Sequence, residues 1–498
     1  MGAALGRVQR EAPRGVDRRL ADNPTVALPR WLVPVLVATA ALLRLPSFFV
    51  HIFTADEGTL ATMGTVIERG GRLYTAVADR KPPAVPYLYA LAFRLSGTRD
   101  LRVVRALALA FVVATALLLA QEAARRAGSA TAGVWCAFVF LLAYGAFFTN
   151  DAQSATFELF MLLPMTAAFV SAGRGHPLRA GVALAAACLC KQPAMMTAVP
   201  MAYLLWRSGG WSSLARSGAA AGATLGAVAL AFGPGRFLLW TVTGNAGYLA
   251  LHGSLWPDVG RGLAVTATLT ALNLPMVLMA VRNGRRGLVP TEVWLWLGGA
   301  AVATVVGLRF FAHYYLQGLP PLALAAACGV PELTRMARRR LAVALAAPAA
   351  VMTAVGFVPQ GDTPTLPYRQ IAARVDALTT PKETVFIWGD IPEVYWAADR
   401  SPGARFVHTG FLTGNSGGRP NGSGQVSDAL PGAWDMLNHD VRLDPPDLIV
   451  DTSHASIRQS EYYPMAATPL WPVVVAKYHL VGRVAGVDLY HLVDAKDP

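Results

Sequence analysis

Apolar residues in this chain gather in long runs that short polar stretches separate. A run of about 20 apolar residues is long enough to cross a bilayer as a helix. The first run ends without the small-residue cleavage site of a signal peptide, so we expect it to stay as a membrane span. The runs predict about eleven transmembrane helices, at 31–50, 101–121, 131–149, 155–172, 179–190, 194–206, 213–232, 261–281, 291–307, 315–331 and 341–358.

The composition supports a polytopic membrane protein. Hydrophobic residues make up 54% of the chain and charged residues 15%, whereas soluble domains carry about 25% charged residues. The net charge of +13 comes mainly from Arg residues in the loops between apolar runs, where topology determinants are found. No basic-aromatic nucleic-acid motif accompanies them. We therefore expect membrane lipids, and no nucleic acid, as partners.

The basic loops predict the orientation in the membrane. Arg-rich loops alternate along the chain, and together with the basic segment 1–30 they fall on one side, which the positive-inside rule assigns to the cytoplasm. We expect a cytoplasmic N-terminal arm (1–30) and a transmembrane module (31–358) in the plasma (inner) membrane. The loop after the first span and the chain beyond 358 then lie outside the cytoplasm.

The segment 359–498 is predicted to form an extracytoplasmic α/β domain. Its Pro, Gly and Asp content rises, and its length of about 140 residues suits one domain. Short apolar or β-branched stretches predict strands between loops. The predicted strands are Thr384–Trp388, Asp447–Asp451, Val473–Val475 and Val487–Leu492, and the predicted helix is Tyr368–Leu378.

Two stretches after the first span are too short to cross the membrane. Residues 57–70 and 84–97 suit helices that lie in the outer membrane interface. Together they predict a platform at the membrane surface.

An acidic pair, Asp56 and Glu57, begins this platform. Neighbours on a helix point about 100° apart, so we expect one carboxylate to face a cavity as a base and the other to bind an Arg. The alternative is a helix start with acids that the helix dipole favours.

Basic residues lie near the acidic pair. Lys81 stands on a Pro82-Pro83 turn, and Arg102 and Arg105 lie at the outer end of the second long span. Positive charge outside the membrane opposes the topology rule, which suggests that these residues bind phosphate or the carboxylates. Interfacial snorkelling is the alternative.

A second polar cluster falls at the same membrane face. Asp151 and Glu158 have helical spacing, and Glu158 lies inside an apolar run, where a carboxylate is a functional candidate. Lys191, Arg309 and His313 fall on this face too, and we expect them to bind substrate rather than react.

Four of these carboxylates are also candidates for a hard cation, which takes oxygen ligands. They are Asp56, Glu57, Asp151 and Glu158. No spacing among them demands a metal, so we expect no required cofactor.

The ordered motifs of residues 31–330 resemble the GT-C membrane glycosyltransferases. The most similar group is the bacterial branch of the dolichyl-phosphate-mannose protein mannosyltransferases, which includes the aminoarabinose lipid A transferases. The resemblance rests on Asp56-Glu57-Gly58, Gly70-Gly71-Arg72-Leu73-Tyr74, Lys81-Pro82-Pro83, Gln153 with Glu158, and Lys191-Gln192-Pro193.

The resemblance implies transfer of a sugar from a polyprenyl phosphate to an envelope glycan, glycolipid or protein, with inversion. Asp56 would be the base, and Lys81, with Arg102 or Arg105, would neutralise the departing phosphate. The supporting acids would be Glu57, Asp151 and Glu158. Such lipid-phosphate donors imply no metal.

Two other classes of protein are alternatives. A transporter or flippase of lipid-linked sugars also places charges in membrane spans, but it favours inverted repeats, and the sequence has none that stands out. A non-catalytic envelope assembly protein would use the C-terminal domain for binding only.

Overall fold

The computed structural model describes residues 26–245, 255–358, 367–414, 429–455, 457–458 and 463–493. These ranges contain twenty α-helices and one five-stranded sheet. The predicted N-terminal arm up to residue 25 and the predicted domain boundary at 358/359 involve residues outside these ranges.

The regular elements of the first part of the chain are all helices within the described ranges, apart from isolated β-bridges at 73–78. Its fifteen helices are α1 (Leu32–Leu43), α2 (Ala55–Glu68), α3 (Ala84–Ser96), α4 (Leu101–Ala127), α5 (Ala130–Gly145), α6 (Thr149–Gln153), α7 (Phe157–Gly173), α8 (Pro177–Cys190), α9 (Ala198–Phe232), α10 (Pro234–Thr241), α11 (Trp256–Leu272), α12 (Leu274–Arg285), α13 (Thr291–Val305), α14 (Leu319–Ala327) and α15 (Arg335–Val355). Short 3-10 helices lie at Leu45–Phe48, Gln192–Thr197, Thr243–Asn245, Ala312–Gly318 and Val330–Glu332.

Two helical segments of the described chain are long and apolar enough to cross a membrane, Leu101–Ala127 and Gln192–Phe232. The bent pair α11 and α12, which meet at 86°, makes a third if it counts as one span. Five further apolar helices are shorter, with 10–17 residues: α1, α5, α7, α8 and α13. The predicted total of about eleven spans therefore stays a prediction.

The helix α9 is interrupted where the sequence predicts a boundary between two apolar segments. Gly209 and Gly210 have non-helical backbone angles, and Gly210 has a φ of 59°. Glycine adopts this left-handed conformation without a Cβ penalty, so the chain breaks there.

The last part of the chain forms a mixed sheet with helices around it. The sheet order is β2-β1-β3-β5-β4, in which β1 pairs in parallel with β2 and β3, and β5 pairs antiparallel with β3 and β4. The strands are β1 (Thr384–Trp388), β2 (Ser401–Pro402), β3 (Leu448–Asp451), β4 (Tyr478–Val484) and β5 (Val487–Leu492). The helices are α16 (Tyr368–Leu378), α17 (Glu393–Ala398), α18 (Gly410–Thr413), α19 (Ala433–Leu443) and α20 (Trp471–Lys477), with a 3-10 helix at Met465–Ala467.

Most of the elements predicted for this part are correct. The strand Thr384–Trp388, the helix Tyr368–Leu378 and the strand Val487–Leu492 have the predicted bounds. The prediction of a strand at Val473–Val475 is wrong. These residues lie in α20, which Pro472 helps to begin, and the strand β4 follows directly after it.

The sheet domain packs onto the predicted platform, which is formed by α2 and α3. Thr62 of α2 donates a hydrogen bond to the Pro392 carbonyl at 2.7 Å, and Trp396 of α17 donates to the Arg99 carbonyl at 2.8 Å. One continuous hydrophobic core includes residues of both parts. The platform and the sheet domain therefore form one packed unit.

Gly58 allows the close approach of α2 and α17. A Cβ at Gly58 would lie 2.9 Å from Glu393 Cβ and 3.2 Å from the Glu393 backbone nitrogen. Gly218 of α9, in contrast, is exposed and has nothing within 4 Å of its virtual Cβ.

We expect Gly58→Ala to destabilise the protein by about 1–3 kcal/mol because it overpacks this contact. Gly218→Ala is the matched control, and we expect it to be neutral or to stabilise by up to ~1 kcal/mol. The measurement is thermal unfolding of both variants in one detergent. Equal effects of the two substitutions would contradict the tight contact.

Candidate active site

A cavity of about 840 Å³ lies between the helical part and the sheet domain. Its helical side carries several of the polar residues that the sequence singled out: Asp56, Lys81, Asp151, Lys191 and His313. Its other side comes from the loops that follow β1 and precede α18. The structure therefore brings half of the predicted site residues into one space.

Asp56 and Lys81 form the central ion pair of the cavity. Thr54 caps α2 by accepting a hydrogen bond from the Glu57 amide at 3.2 Å, which places both acids in the first helical turn. Asp56 Oδ1 lies 2.8 Å from Lys81 Nζ. Lys81 is positioned in turn by Tyr74, whose hydroxyl donates to the Lys81 carbonyl at 2.8 Å.

Opposing effects set the charge of this pair. Burial raises the pKa of Asp56. The electrostatic attraction of Lys81, and to a smaller extent of His313 and Lys191, has a larger effect and holds that pKa well below its ordinary value. Burial lowers the pKa of Lys81, but Asp56 and then Asp79 raise it above its ordinary value. Both groups are therefore charged at neutral pH.

Glu57, the next residue, points into the protein instead. Its carboxylate is fully buried and makes a two-point contact with Arg105, with 2.9 Å between Arg105 Nε and Glu57 Oε1. It also accepts hydrogen bonds from the amides of Phe53 at 3.2 Å and Ala155 at 3.1 Å. As expected, one acid, Asp56, faces the cavity and the other, Glu57, binds an Arg.

Neither Arg105 nor Arg102 lines the cavity. Arg105 is buried, and besides Glu57 it donates to the carbonyls of Ser47, Val50 and His51. Arg102 is exposed and pairs with Asp100. The prediction that these two residues bind the donor phosphate is not supported by where they lie, because one guanidinium is saturated and the other faces away.

Asp151 and Glu158 do not share one helix, as their spacing predicted. The helix α6 ends at Gln153, and α7 begins at Phe157. Arg44, which is fully buried, donates to the carbonyls of Ala152, Gln153 and Ser154. A helix would need these carbonyls for its own bonds, so the buried Arg favours the break.

His313 connects the two acids across that break. Its Nδ1 lies 3.1 Å from Asp151 Oδ1, and its Nε2 lies 3.5 Å from Glu158 Oε1. Lys191 also contacts the Glu158 carboxylate, and its ammonium lies 4.6 Å from the centre of the Tyr314 ring. Asp151, His313, Glu158 and Lys191 therefore form one polar chain beside the cavity.

Arg309 takes a different place from the one predicted. Its side chain is buried and is not part of the cavity lining. Its carbonyl accepts a hydrogen bond from Arg261 at 2.9 Å. Arg309 therefore lies outside the lining of the cavity.

Several cavity residues were not among the predicted site residues. Asp79 is buried, and its Oδ2 lies 3.7 Å from Lys81 Nζ. The sheet domain adds Trp388, Asp390, His408 and Tyr463. The sequence held one signal for them: Gly389 and Asp390 directly follow the buried strand that ends at Trp388, and ligand sites of α/β sheets lie at such strand ends.

No group of three or more His, Cys, Asp or Glu residues in the described part of the chain is arranged to hold a metal ion. Three cavity carboxylates of the helical part lie next to basic or imidazole side chains: Asp56 and Asp79 next to Lys81, and Asp151 next to His313.

The contrast between the two arginines gives a stability prediction. Arg105→Met leaves the Glu57 carboxylate buried without its partner, and we expect a loss of about 3–5 kcal/mol. Arg102→Ala removes only an exposed pair, for which we expect less than ~1 kcal/mol. Unfolding of both variants in one detergent checks this. Similar losses for the two would contradict a structural role for Arg105 alone.

Comparisons with known proteins agree with this arrangement. The family model of dolichyl-phosphate-mannose-protein mannosyltransferase matches residues 80–240. No curated protein matches the chain by sequence.

Solved structures match the chain over most of its length. The crystal structure of ArnT from Cupriavidus metallidurans bound to undecaprenyl phosphate has a TM-score of 0.62 at 13% identity, covering 93% of this chain and 98% of that one. Its apo state has a TM-score of 0.56 at 14% identity, covering 92% and 97%. The Archaeoglobus fulgidus oligosaccharyltransferase in complex with Zn and sulfate has a TM-score of 0.52 at 14% identity, covering 93% and 73%. The resemblance predicted from the sequence is confirmed as a resemblance, since the chain shares the fold of ArnT and of the archaeal oligosaccharyltransferase and matches the mannosyltransferase family model over residues 80–240.

Proposed function

We propose that this protein is an integral membrane glycosyltransferase that transfers a sugar from a polyprenyl-phosphate donor to an acceptor outside the cytoplasm. The observation that carries the proposal is the Asp56–Lys81 pair, 2.8 Å apart at the wall of an 840 Å³ cavity. In such a pair the carboxylate can accept the proton of an acceptor hydroxyl, and the ammonium can bind the leaving phosphate in the same cavity. The sugar is a hexose or a pentose.

The comparisons support the class of donor. ArnT was solved with undecaprenyl phosphate bound, and the matching family model is named for dolichyl-phosphate-mannose. Undecaprenyl phosphate is a polyprenyl phosphate, and dolichyl-phosphate-mannose is a sugar attached to a lipid phosphate of the same kind.

Asp56 is the proposed base. Its carboxylate accepts the proton of an acceptor hydroxyl while that oxygen attacks the anomeric carbon of the donor sugar. The bond from the anomeric carbon to the phosphate oxygen breaks, and its electrons leave with the phosphate. Attack from the side opposite the phosphate inverts the configuration. One positioned base suffices for this step.

Lys81 is the proposed phosphate-binding residue, with Lys191, whose pKa burial lowers to about 7, as a second amine of the same cavity. Fixed positive charge stabilises the phosphate most as its negative charge develops. Asp151, Glu158 and His313 hold the Lys191 side of the cavity in place through their hydrogen bonds. Glu57 and Arg105 act behind the site, because both are buried.

Donor binding would also activate the base. In the free protein Lys81 holds the pKa of Asp56 low, which makes the carboxylate a weak base. A donor phosphate that pairs with the Lys81 ammonium weakens the attraction between Lys81 and Asp56. Burial then raises the pKa of Asp56. The carboxylate becomes a stronger base when the donor is present.

We also propose a membrane topology, which places the reaction outside the cytoplasm. Residues 1–30 form the cytoplasmic arm, 31–358 the membrane module of about eleven spans, and 359–498 an extracytoplasmic domain over the cavity. The acceptor is an envelope glycan, glycolipid or protein, and the reaction takes place at the outer face of the plasma membrane.

Asp56→Asn is expected to lower transfer by about 10²–10⁴-fold, because it removes the base but keeps the size of the side chain. The measurement uses purified protein in lipid, a panel of radiolabelled polyprenyl-phosphate sugars, and an envelope extract as acceptor. Asp399→Asn is the control, since the Asp399 side chain is 54% exposed, lies outside the cavity lining and pairs with Arg69 and Arg99 among the described residues. Full activity of Asp56→Asn would remove its role as the base. Transport of the donor without transfer would favour the flippase class.

The pH profile of a Lys81 variant tests the electrostatics. Lys81 lowers the pKa of Asp56 while burial raises it, so Lys81→Met should raise that pKa. The acidic limb of kcat/KM should then move to higher pH than in the wild type, because Asp56 acquires a proton earlier as the pH falls. Rates from pH 4 to 8 for the two proteins measure this. A limb at unchanged pH would contradict the coupling of the two residues.

A further inference from the structure

We infer that the sheet domain forms the acceptor subsite, and that the subsite takes a neutral, hydroxyl-rich acceptor, that is, a glycan. The inference rests on the proposed function and names the acceptor class within it. We call the surface formed by Trp388, Gly389, Asp390, His408, Thr409 and Tyr463 the C-terminal wall. All six residues line the cavity that contains Asp56 and Lys81.

The sheet topology explains why this wall faces the cavity. The parallel strands β1 and β3 end at Trp388 and Asp451, at the same edge of the sheet. Ligands of such sheets bind outside the carboxyl ends of the strands. Gly389, which directly follows β1, has a φ of 149°, and a Cβ there would lie 2.2 Å from Thr452 Oγ1. Only glycine suits this turn, and Asp390 is the next residue after it.

The same turn brings Asp390 and His408 together. The Thr409 amide donates to the Gly389 carbonyl at 3.2 Å, which holds the 408–409 segment beside the end of β1. The His408 ring stacks on Phe411 at 5.0 Å between centroids. In the described part of the chain, neither the Asp390 carboxylate nor the His408 ring makes a side-chain hydrogen bond, so both can bind a ligand in the cavity.

The chemistry of these two groups suits hydroxyls. Burial lowers the pKa of His408, so its imidazole is neutral at pH 7 and offers one donor and one acceptor. Asp390 supplies acceptors for ligand O–H groups. Thr409 and Tyr463 add further polar and aromatic surface. Hydroxyl groups, which both donate and accept, match this set.

The wall is less suited to an anionic acceptor. Its nearby cation, Arg458, already pairs with Glu393, with 2.8 Å between Nη2 and Oε1, and donates to the Asp390 carbonyl. The Asp390 carboxylate would repel an anion. Among the described residues, the other basic side chains that line the cavity are Arg80, Lys81 and Lys191, and all three belong to the helical part rather than to the C-terminal wall.

The wall also offers no peptide-binding strand. Peptides commonly add to the open edge of a sheet, but the edges here are β2 and β4, whereas the cavity meets the ends of the central strands. Among the described residues, the cavity therefore presents side chains rather than a strand edge.

Ligand binding without a donor tests the inference. Saturation-transfer NMR is recorded on the purified full chain in nanodiscs with mannotriose and maltotriose, with mannose 6-phosphate, and with a threonine-containing tripeptide. We expect binding of a neutral oligosaccharide, weakened on the order of 10-fold by Asp390→Asn and by His408→Gln, since each removes a hydrogen-bond partner. The double control Asp435→Asn/His439→Gln, on the exposed face of α19, should bind like the wild type.

Three results would overturn the inference: binding of the tripeptide or the phosphorylated sugar in preference to the neutral glycans, binding that both variants leave unchanged, or no binding of any neutral glycan. A kinetic readout separates this inference from the proposed function. With a glycan acceptor, the two variants should raise the acceptor KM on the order of 10-fold and change the donor KM by less than about 2-fold. Absence of any donor turnover by the wild type would instead overturn the proposed function, and the acceptor assignment with it.

Discussion

The buried Glu57–Arg105 ion pair holds the site in place. Glu57 connects the start of α2 to α4 through Arg105, and it also binds the amides of Phe53 and Ala155. Two charges removed from water are stable only when their geometry is good and their remaining hydrogen bonds are made. Here both conditions hold. The rotation of α2 is therefore fixed, and the neighbouring residue, Asp56, faces the cavity.

The site combines two kinds of wall around that fixed helix. The helical wall carries opposite charges at close range, in the Asp56–Lys81 pair and in the chain from Asp151 to Lys191. The wall from the sheet domain carries the Asp390 carboxylate and the His408 ring, neither of which has a side-chain hydrogen bond to another described residue. A charged wall suits a phosphate and a proton transfer, whereas the other suits hydroxyl recognition. The tight contact of Gly58 with Glu393 keeps the two walls together.

Local patterns predicted much of this structure. The helical spacing of 100° was enough to predict that the Asp56 and Glu57 side chains point in different directions, and buried apolar stretches were enough to locate β1 and β5. Pairings between distant segments were not predictable in this way. Arg102 and Arg105 have similar sequence surroundings, yet one is exposed and one is buried, because their partners, Asp100 and Glu57, are determined by the fold.

Two other features that the sequence did not predict also depend on contacts between distant segments. The break between α6 and α7 depends on Arg44, which is more than a hundred residues away from the carbonyls it binds. The contribution of Asp390 and His408 to the cavity depends on how the sheet domain packs on the platform. A single sequence contains these residues but not their contacts. The Gly389-Asp390 turn after the buried strand that ends at Trp388 was the one local signal of this wall.

A structure of the protein with a polyprenyl phosphate bound tests the central claim most directly. The account predicts that the phosphate lies within hydrogen-bond distance of Lys81 Nζ, beside Asp56, and that the distance between Asp56 Oδ1 and Lys81 Nζ becomes longer than the 2.8 Å of the free protein. A phosphate bound at Arg102, or anywhere outside the cavity, with the Asp56–Lys81 pair unchanged, would contradict it.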